Sequence, residues 1–120
     1  MRKLTTKEEE IMHILWDLKR AYVKDIIEKL PDPKPHYNSI STLVRRLESL
    51  NFVGHERFGN THRYFPLVNK KTYKERSIKY LLNQYFDNSY QNMVSFFARE
   101  KKISPEELKR ILKEIDETQT

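Results

Sequence analysis

A chain of 120 residues, 38% hydrophobic and 12% aromatic, has room for one domain or two very small ones. A core below about 80 residues is marginal alone, so a divided chain is expected to oligomerise. With no cysteine, disulfides, thiol catalysis and cysteine-ligated metals are excluded. No stretch approaches the roughly 18 apolar residues of a membrane span, so no membrane insertion is expected. The opening MRKLTTKEEE has no apolar run behind its charges and does not read as a signal peptide, which makes a cytoplasmic protein the expectation. The net charge is +6, and residues 36–79 carry all of it, with nine Lys and Arg against three Asp and Glu. Such a focus suits an anionic partner: nucleic acid first, then a membrane surface or an acidic protein.

In chain order, LTTKEEEIMHILWDL places Thr6 three residues before Glu9, a capping-box spacing that predicts a helix start there. Ile11, Ile14, Leu15 and Leu18 mark its buried side, widened by Met12 and Trp16. VKDIIEKL gives a short second helix with Val23, Ile26, Ile27 and Leu30 inward. The prolines of PDPKPH end it. NSISTLVRRLESLNF then predicts a third helix over 37–51, with Ile40, Leu43, Val44, Leu47 and Leu50 on one face.

The opposite face of this third helix carries short polar side chains and arginines. Asn38, Thr42, Arg45 and Ser49 lie nearly opposite the apolar stripe, with Ser41 and Arg46 flanking. Short donors and acceptors near a helix start suit base edges, and longer arginines reach guanine edges or phosphates. FVGHERFGNTHRYFPLV follows as two short strands turned at Gly59-Asn60, with Pro66 confining the second strand's end to an edge. His55, Arg57, His62 and Arg63 surround the turn, and Tyr64 is favoured over Phe65 as the core residue. The fold class expected is therefore mainly α with a small β-hairpin: a winged helix-turn-helix over residues 1–68. A C-terminal helical dimerisation segment is expected over 69–120.

Within that segment, Tyr73, Ser77, Tyr80, Leu81 and Phe86 fall loosely on one side. Met93, Phe96 and Phe97 group together in the next stretch. In the last, Ser104 as N-cap, Pro105 at the first helical position and Glu107 closing a box start a helix with the stripe Leu108, Ile111, Leu112 and Ile115. The aromatic residues Tyr80, Tyr85, Phe86, Tyr90, Phe96 and Phe97 suit burial in a dimer; stacking on unpaired bases is the alternative. No metal site is expected at histidines 13, 36, 55 and 62. No catalytic triad order, phosphate-cradling loop or isolated carboxylate pair appears, so neither an enzyme nor a cofactor is expected. From another class, a winged helix docking an acidic protein partner is the competing reading.

LTTKEEEIMHILW resembles the opening helix of the BlaI/MecI-type penicillinase repressors, through Leu4, Thr5, Glu8, Ile11, Met12, Leu15 and Trp16. SISTLVRRLESLNFVGHERFGNTHRYFPLV is similar to their recognition helix and wing, and SFFAREKKISPEEL to their C-terminal segment. The resemblance implies a homodimer that binds double-stranded DNA at a palindromic, inverted-repeat operator and blocks transcription. Under it Asn38, Ser39, Thr42 and Arg46 face the bases, and Arg57 and Arg63 meet the DNA backbone. It also implies inactivation by proteolysis at Phe96-Phe97, after a membrane-bound sensor protease detects a β-lactam. The family pattern has Asn before Phe at that bond, where this chain has Phe96, and tends to have Trp where this chain has Glu9. The cysteine cluster of the copper-responsive branch is absent, which excludes copper sensing by thiolates.

Overall fold

The computed structural model describes residues 3–119. Its elements are α1 (Thr6–Leu18), α2 (Val23–Lys29), α3 (Tyr37–Ser49), β1 (Val53–Phe58), β2 (Thr61–Pro66), α4 (Lys70–Tyr85), α5 (Tyr90–Arg99) and α6 (Pro105–Gln119). The order of three helices and an antiparallel hairpin, then three more helices, is a winged helix-turn-helix with a helical extension. Two compact units divide the chain, the first reaching Arg76 and the second starting at Ser77.

In the first unit, α1 begins one residue earlier than the Thr6/Glu9 spacing predicts. Thr5 is the N-cap: its Oγ1 accepts the Glu8 amide at 3.2 Å, and its own amide donates to Glu8 Oε1 at 2.8 Å. The adjacent Thr-Thr and triple Glu spell the box twice, and packing selects the version that turns Glu8 inward. Glu9 instead accepts the Tyr73 hydroxyl at 3.0 Å. The predicted faces of α1, α2 and α3 meet in one core, with Ile11, Met12, Leu15, Ile26, Ile40, Val44 and Leu47 shielded from solvent.

Between α1 and α2, Ala21 pairs antiparallel with Tyr64. Backbone bonds of 2.9 and 2.7 Å lock the base of the hairpin there. Tyr64, not Phe65, is buried beside Phe52 and Val53, as the alternation predicts. The strand register runs from Val53–Pro66 to Phe58–Thr61, so Gly59-Asn60 form the two-residue turn. Gly59 sits at φ +61°, a conformation that costs glycine nothing.

α3 stops in a Schellman arrangement. The Phe52 amide donates to Leu47 O at 2.9 Å and that of Asn51 to Glu48 O at 3.0 Å, with Asn51 at φ +65°. This stop directs the chain straight into β1. At the far end of the hairpin, Trp16 Nε1 donates to Val68 O at 2.8 Å. Tyr73, in the first turns of α4, packs on Trp16 and Phe52 with ring centroids 5.5 and 6.1 Å away.

In the second unit, Ser104 accepts the Glu107 amide at 3.1 Å and starts α6 as predicted. Ser89 caps α5 by accepting from Asn92. Phe96 stands edge-on to both Phe86 and Phe97, with centroids 5.6 and 5.7 Å apart. Among the described residues of this unit, only Leu82 is buried.

Candidate nucleic-acid interface

α3 presents Asn38, Ser39, Thr42, Arg45, Arg46 and Ser49 to solvent and leaves Ser41 half-buried. The helix starts at His36, whose Nδ1 accepts the Asn38 amide at 3.1 Å, so this histidine is a cap. Short polar side chains are tolerated on α3 because they bond to its own carbonyls. Thr42 Oγ1 donates to Asn38 O at 2.8 Å, and Ser49 Oγ to Arg46 O at 2.7 Å. Arg45 Nε lies 3.4 Å from Ser41 O, laid along the helix surface.

Arg46 is placed differently. Its Nε is 3.4 Å from Glu8 Oε2, and the Glu8 side chain is wholly buried while that of Arg46 is 53% exposed. Sequence reasoning passed over Glu8 as a site residue. The available signal was its helical register, since Glu8 stands three, four and seven residues before Ile11, Met12 and Leu15.

The hairpin separates the two wing arginines. In the register, Arg57 is opposite His62 and His55 opposite Tyr64, while Arg63 is opposite Glu56. Arg57 therefore shares a face with the histidines and Tyr64, and Arg63 lies on the other face. Arg57 is exposed, and its Nε donates to Gly59 O at 3.1 Å, which holds it near the turn. Arg63 donates to Glu56 Oε2 at 2.9 Å and lies over the Phe58 ring, 4.6 Å from its centroid. Glu56 Oε1 also accepts from Arg20 at 2.5 Å. The Arg63 hydrogen bond, with Arg20 adding to it, holds the Glu56 carboxyl below its ordinary range against the opposing effect of burial.

On the face that carries Arg57, His55 and His62 stack with centroids 4.1 Å apart and planes within 7°. His55 Nδ1 also contacts Glu48 at the end of α3. An open cleft of about 560 Å³ lies between this hairpin face, α3 and the start of α2. Its lining includes Lys24, Arg45, Tyr37, Ser41, Asn60 and His62, and no lining residue is acidic. Sequence reasoning missed Tyr37, the first residue of α3, and Lys24, which the topology brings beside it from α2. An exposed helix face with donors, acceptors and arginine, bordered by a cationic cleft with no acidic lining residue, is chemistry suited to a polyanion of fixed groove geometry.

A profile of the penicillinase repressor family matches residues 4–117. The chain belongs to the penicillinase repressor family. Two methicillin resistance regulatory proteins MecI are similar to it. The protein from Staphylococcus aureus strain N315 is 24% identical over 110 residues, 91% of this chain and 89% of that one. The protein from Mammaliicoccus sciuri is 25% identical over 112 residues, with the same shares. A penicillinase repressor of Bacillus licheniformis is 22% identical over 120 residues, covering 96% of this chain and 91% of that one. Among solved structures, a mutant of Lactococcus lactis ZitR superposes with a TM-score of 0.49 at 18% identity, over 98% of this chain and 75% of that chain.

This member of the penicillinase repressor family is thus a transcriptional repressor of the BlaI/MecI type. Among the described residues, no helix is long and apolar enough to cross a membrane. The residues proposed for its dimerisation are half-buried or exposed in the single chain: Leu112 is 61% exposed, and Ile111 and Ile115 are 44% exposed each. The Phe96-Phe97 bond lies inside α5, with Phe96 43% exposed.

Proposed function

We propose that this repressor binds an inverted-repeat operator in double-stranded DNA as a homodimer, with α3 of each copy in a major groove. Asn38, Ser39, Ser41 and Thr42, at the start of α3, meet base edges. Arg45 and Arg46 reach guanine edges or phosphates further along, and Arg57 meets the DNA backbone from the wing. One observation carries the reading: the exposed polar face of α3 borders a cleft lined by Lys24 and Arg45 and by no acidic side chain. An acidic protein could use the same charges, but short polar side chains at the start of an exposed helix face favour a groove.

The second unit supports pairing. It keeps only Leu82 buried among its described residues, while Tyr80, Leu81, Phe86, Met93, Phe96, Phe97, Leu108, Ile111, Leu112 and Ile115 are half-buried or exposed in the single chain. Two copies place two recognition helices about one DNA turn, or a small multiple, apart. Relief follows from proteolysis at Phe96-Phe97 by a membrane-bound sensor protease. Scission there separates α6, with its Leu108, Ile111, Leu112 and Ile115 stripe, from the residues that precede the cut. Lost pairing then costs operator affinity without touching α3. In a gel-shift titration on DNA upstream of its own gene, Arg45→Ala weakens binding while sedimentation still reports a dimer. Unchanged affinity overturns the assignment of α3.

A further inference from the structure

Glu8 is the one charged side chain that is fully buried among the described residues. A buried carboxylate is costly unless hydrogen bonds and opposite charge compensate it. Some of the compensation is local. The Thr5 amide donates to Oε1 at 2.8 Å, and the first turn of α1 favours negative charge through the helix dipole. Both are available to a solvent-exposed capping residue, so neither accounts for burial. Opposite charge comes from Arg46 of α3, whose Nε lies 3.4 Å from Oε2 in an ion pair.

The asymmetry of that pair is informative. Glu8 has no exposed side-chain surface, whereas just over half of the Arg46 side chain is open to solvent. A guanidinium presents its donors in a rigid planar fork. Held at Nε, it keeps its terminal nitrogens in a set direction and loses less rotamer freedom when a partner arrives. We propose that Glu8 is a positioning residue for operator binding. It grips Arg46 through Nε so that the terminal nitrogens of Arg46 stand fixed on the DNA-facing side of α3. This rests on the DNA-binding role proposed above and assigns part of it to a buried acid on a different helix.

The test is a double-mutant cycle on the full-length dimer, read as operator affinity at one salt concentration. Glu8→Gln keeps the bond to the Thr5 amide, because glutamine also closes a capping box, and removes the charge that holds Arg46. The expected loss is about threefold or more, the usual coupling of two residues in one ion pair, and it vanishes in an Arg46→Ala background. A loss of equal size with and without Arg46 means that Glu8 serves the fold alone and overturns the proposal, as does no loss at all. If Glu8→Gln does not fold, Arg46→Lys carries the test at a half-exposed position. Lysine has a single charged nitrogen, which Glu8 occupies, so its affinity is expected to match that of Arg46→Ala. Affinity within twofold of the parent overturns the proposal. A parent chain that binds no duplex would instead overturn the DNA-binding role itself, a separate outcome.

Discussion

Arg57 and Arg63 flank the same turn with the same charge, and the hairpin register makes opposite predictions for them. Arg57 is exposed on the face shared with His62. Arg63 is tied to Glu56 on the other face and covers Phe58. If Arg57 neutralises one phosphate per subunit, Arg57→Ala removes two contacts from the dimer. The slope of log affinity against log salt then falls by about 1.8, because each neutralised phosphate contributes about 0.9. Between 50 and 200 mM salt, the parent should therefore lose about twelvefold more affinity than the variant. Arg63→Ala leaves the slope unchanged and acts on the fold. Loss of its contact with the Phe58 ring costs about 0.5–1 kcal/mol, or about 2–8 °C in Tm for a domain of this size. Anisotropy titrations across a salt series, with thermal melts at fixed protein concentration, separate the two effects. The reasoning is refuted if Arg63→Ala flattens the salt dependence as much as Arg57→Ala does.

Other consequences follow from packing and charge. Leu112→Asp, at a side chain 61% exposed in the single chain, should dissociate the dimer. Two leucines withdrawn from an interface forfeit about 3–6 kcal/mol before the aspartate charge is counted; sedimentation showing an unchanged dimer would remove Leu112 from the interface. Asn51 holds φ +65° at the end of α3, so Asn51→Ala should cost about 1–2 kcal/mol in chemical denaturation. Asn51→Gly should be close to neutral, and equal losses in both variants would mean that a side-chain contact, not the backbone, decides. The Glu56 carboxyl is held below the ordinary value of 4.5 by Arg63 and Arg20. A lowered folded value contributes stability above 4.5 that is lost as pH falls through it. The stability gap between parent and Glu56→Gln should therefore close on acidification from 4.5 downward, and a gap independent of pH would exclude the ion pair as its source.

Helical faces were legible because burial of α1, α2 and α3 follows the 3.6-residue period. The α6 start was legible because Ser104, Pro105 and Glu107 leave one possible register. Where two registers were spelled equally well, local sequence failed. Thr5/Glu8 and Thr6/Glu9 are equivalent on paper, and the choice shows only in the packed structure, where Glu8 is buried beside Arg46 of α3. The Ala21–Tyr64 bridge is one pair long and leaves no periodic trace. The cleft residues Lys24 and Tyr37 come together only through the fold of α2 against α3. The opposite faces of Arg57 and Arg63 were within reach. Once Gly59-Asn60 fixes the turn, counting outward pairs Arg63 with Glu56 and Arg57 with His62. In the sparsely apolar α4, nothing local distinguishes buried Leu82 from half-exposed neighbours such as Leu81.

The central claim is that two copies of α3 read one symmetric stretch of duplex DNA. Footprinting of the purified full-length protein on DNA upstream of its own gene tests it most directly. The expected result is one protected region built on an inverted repeat, with half-sites about one helical turn or a small multiple apart and two chains bound per site. Protection lacking two-fold symmetry, one chain per site, or no protection at concentrations where the dimer is intact would contradict it.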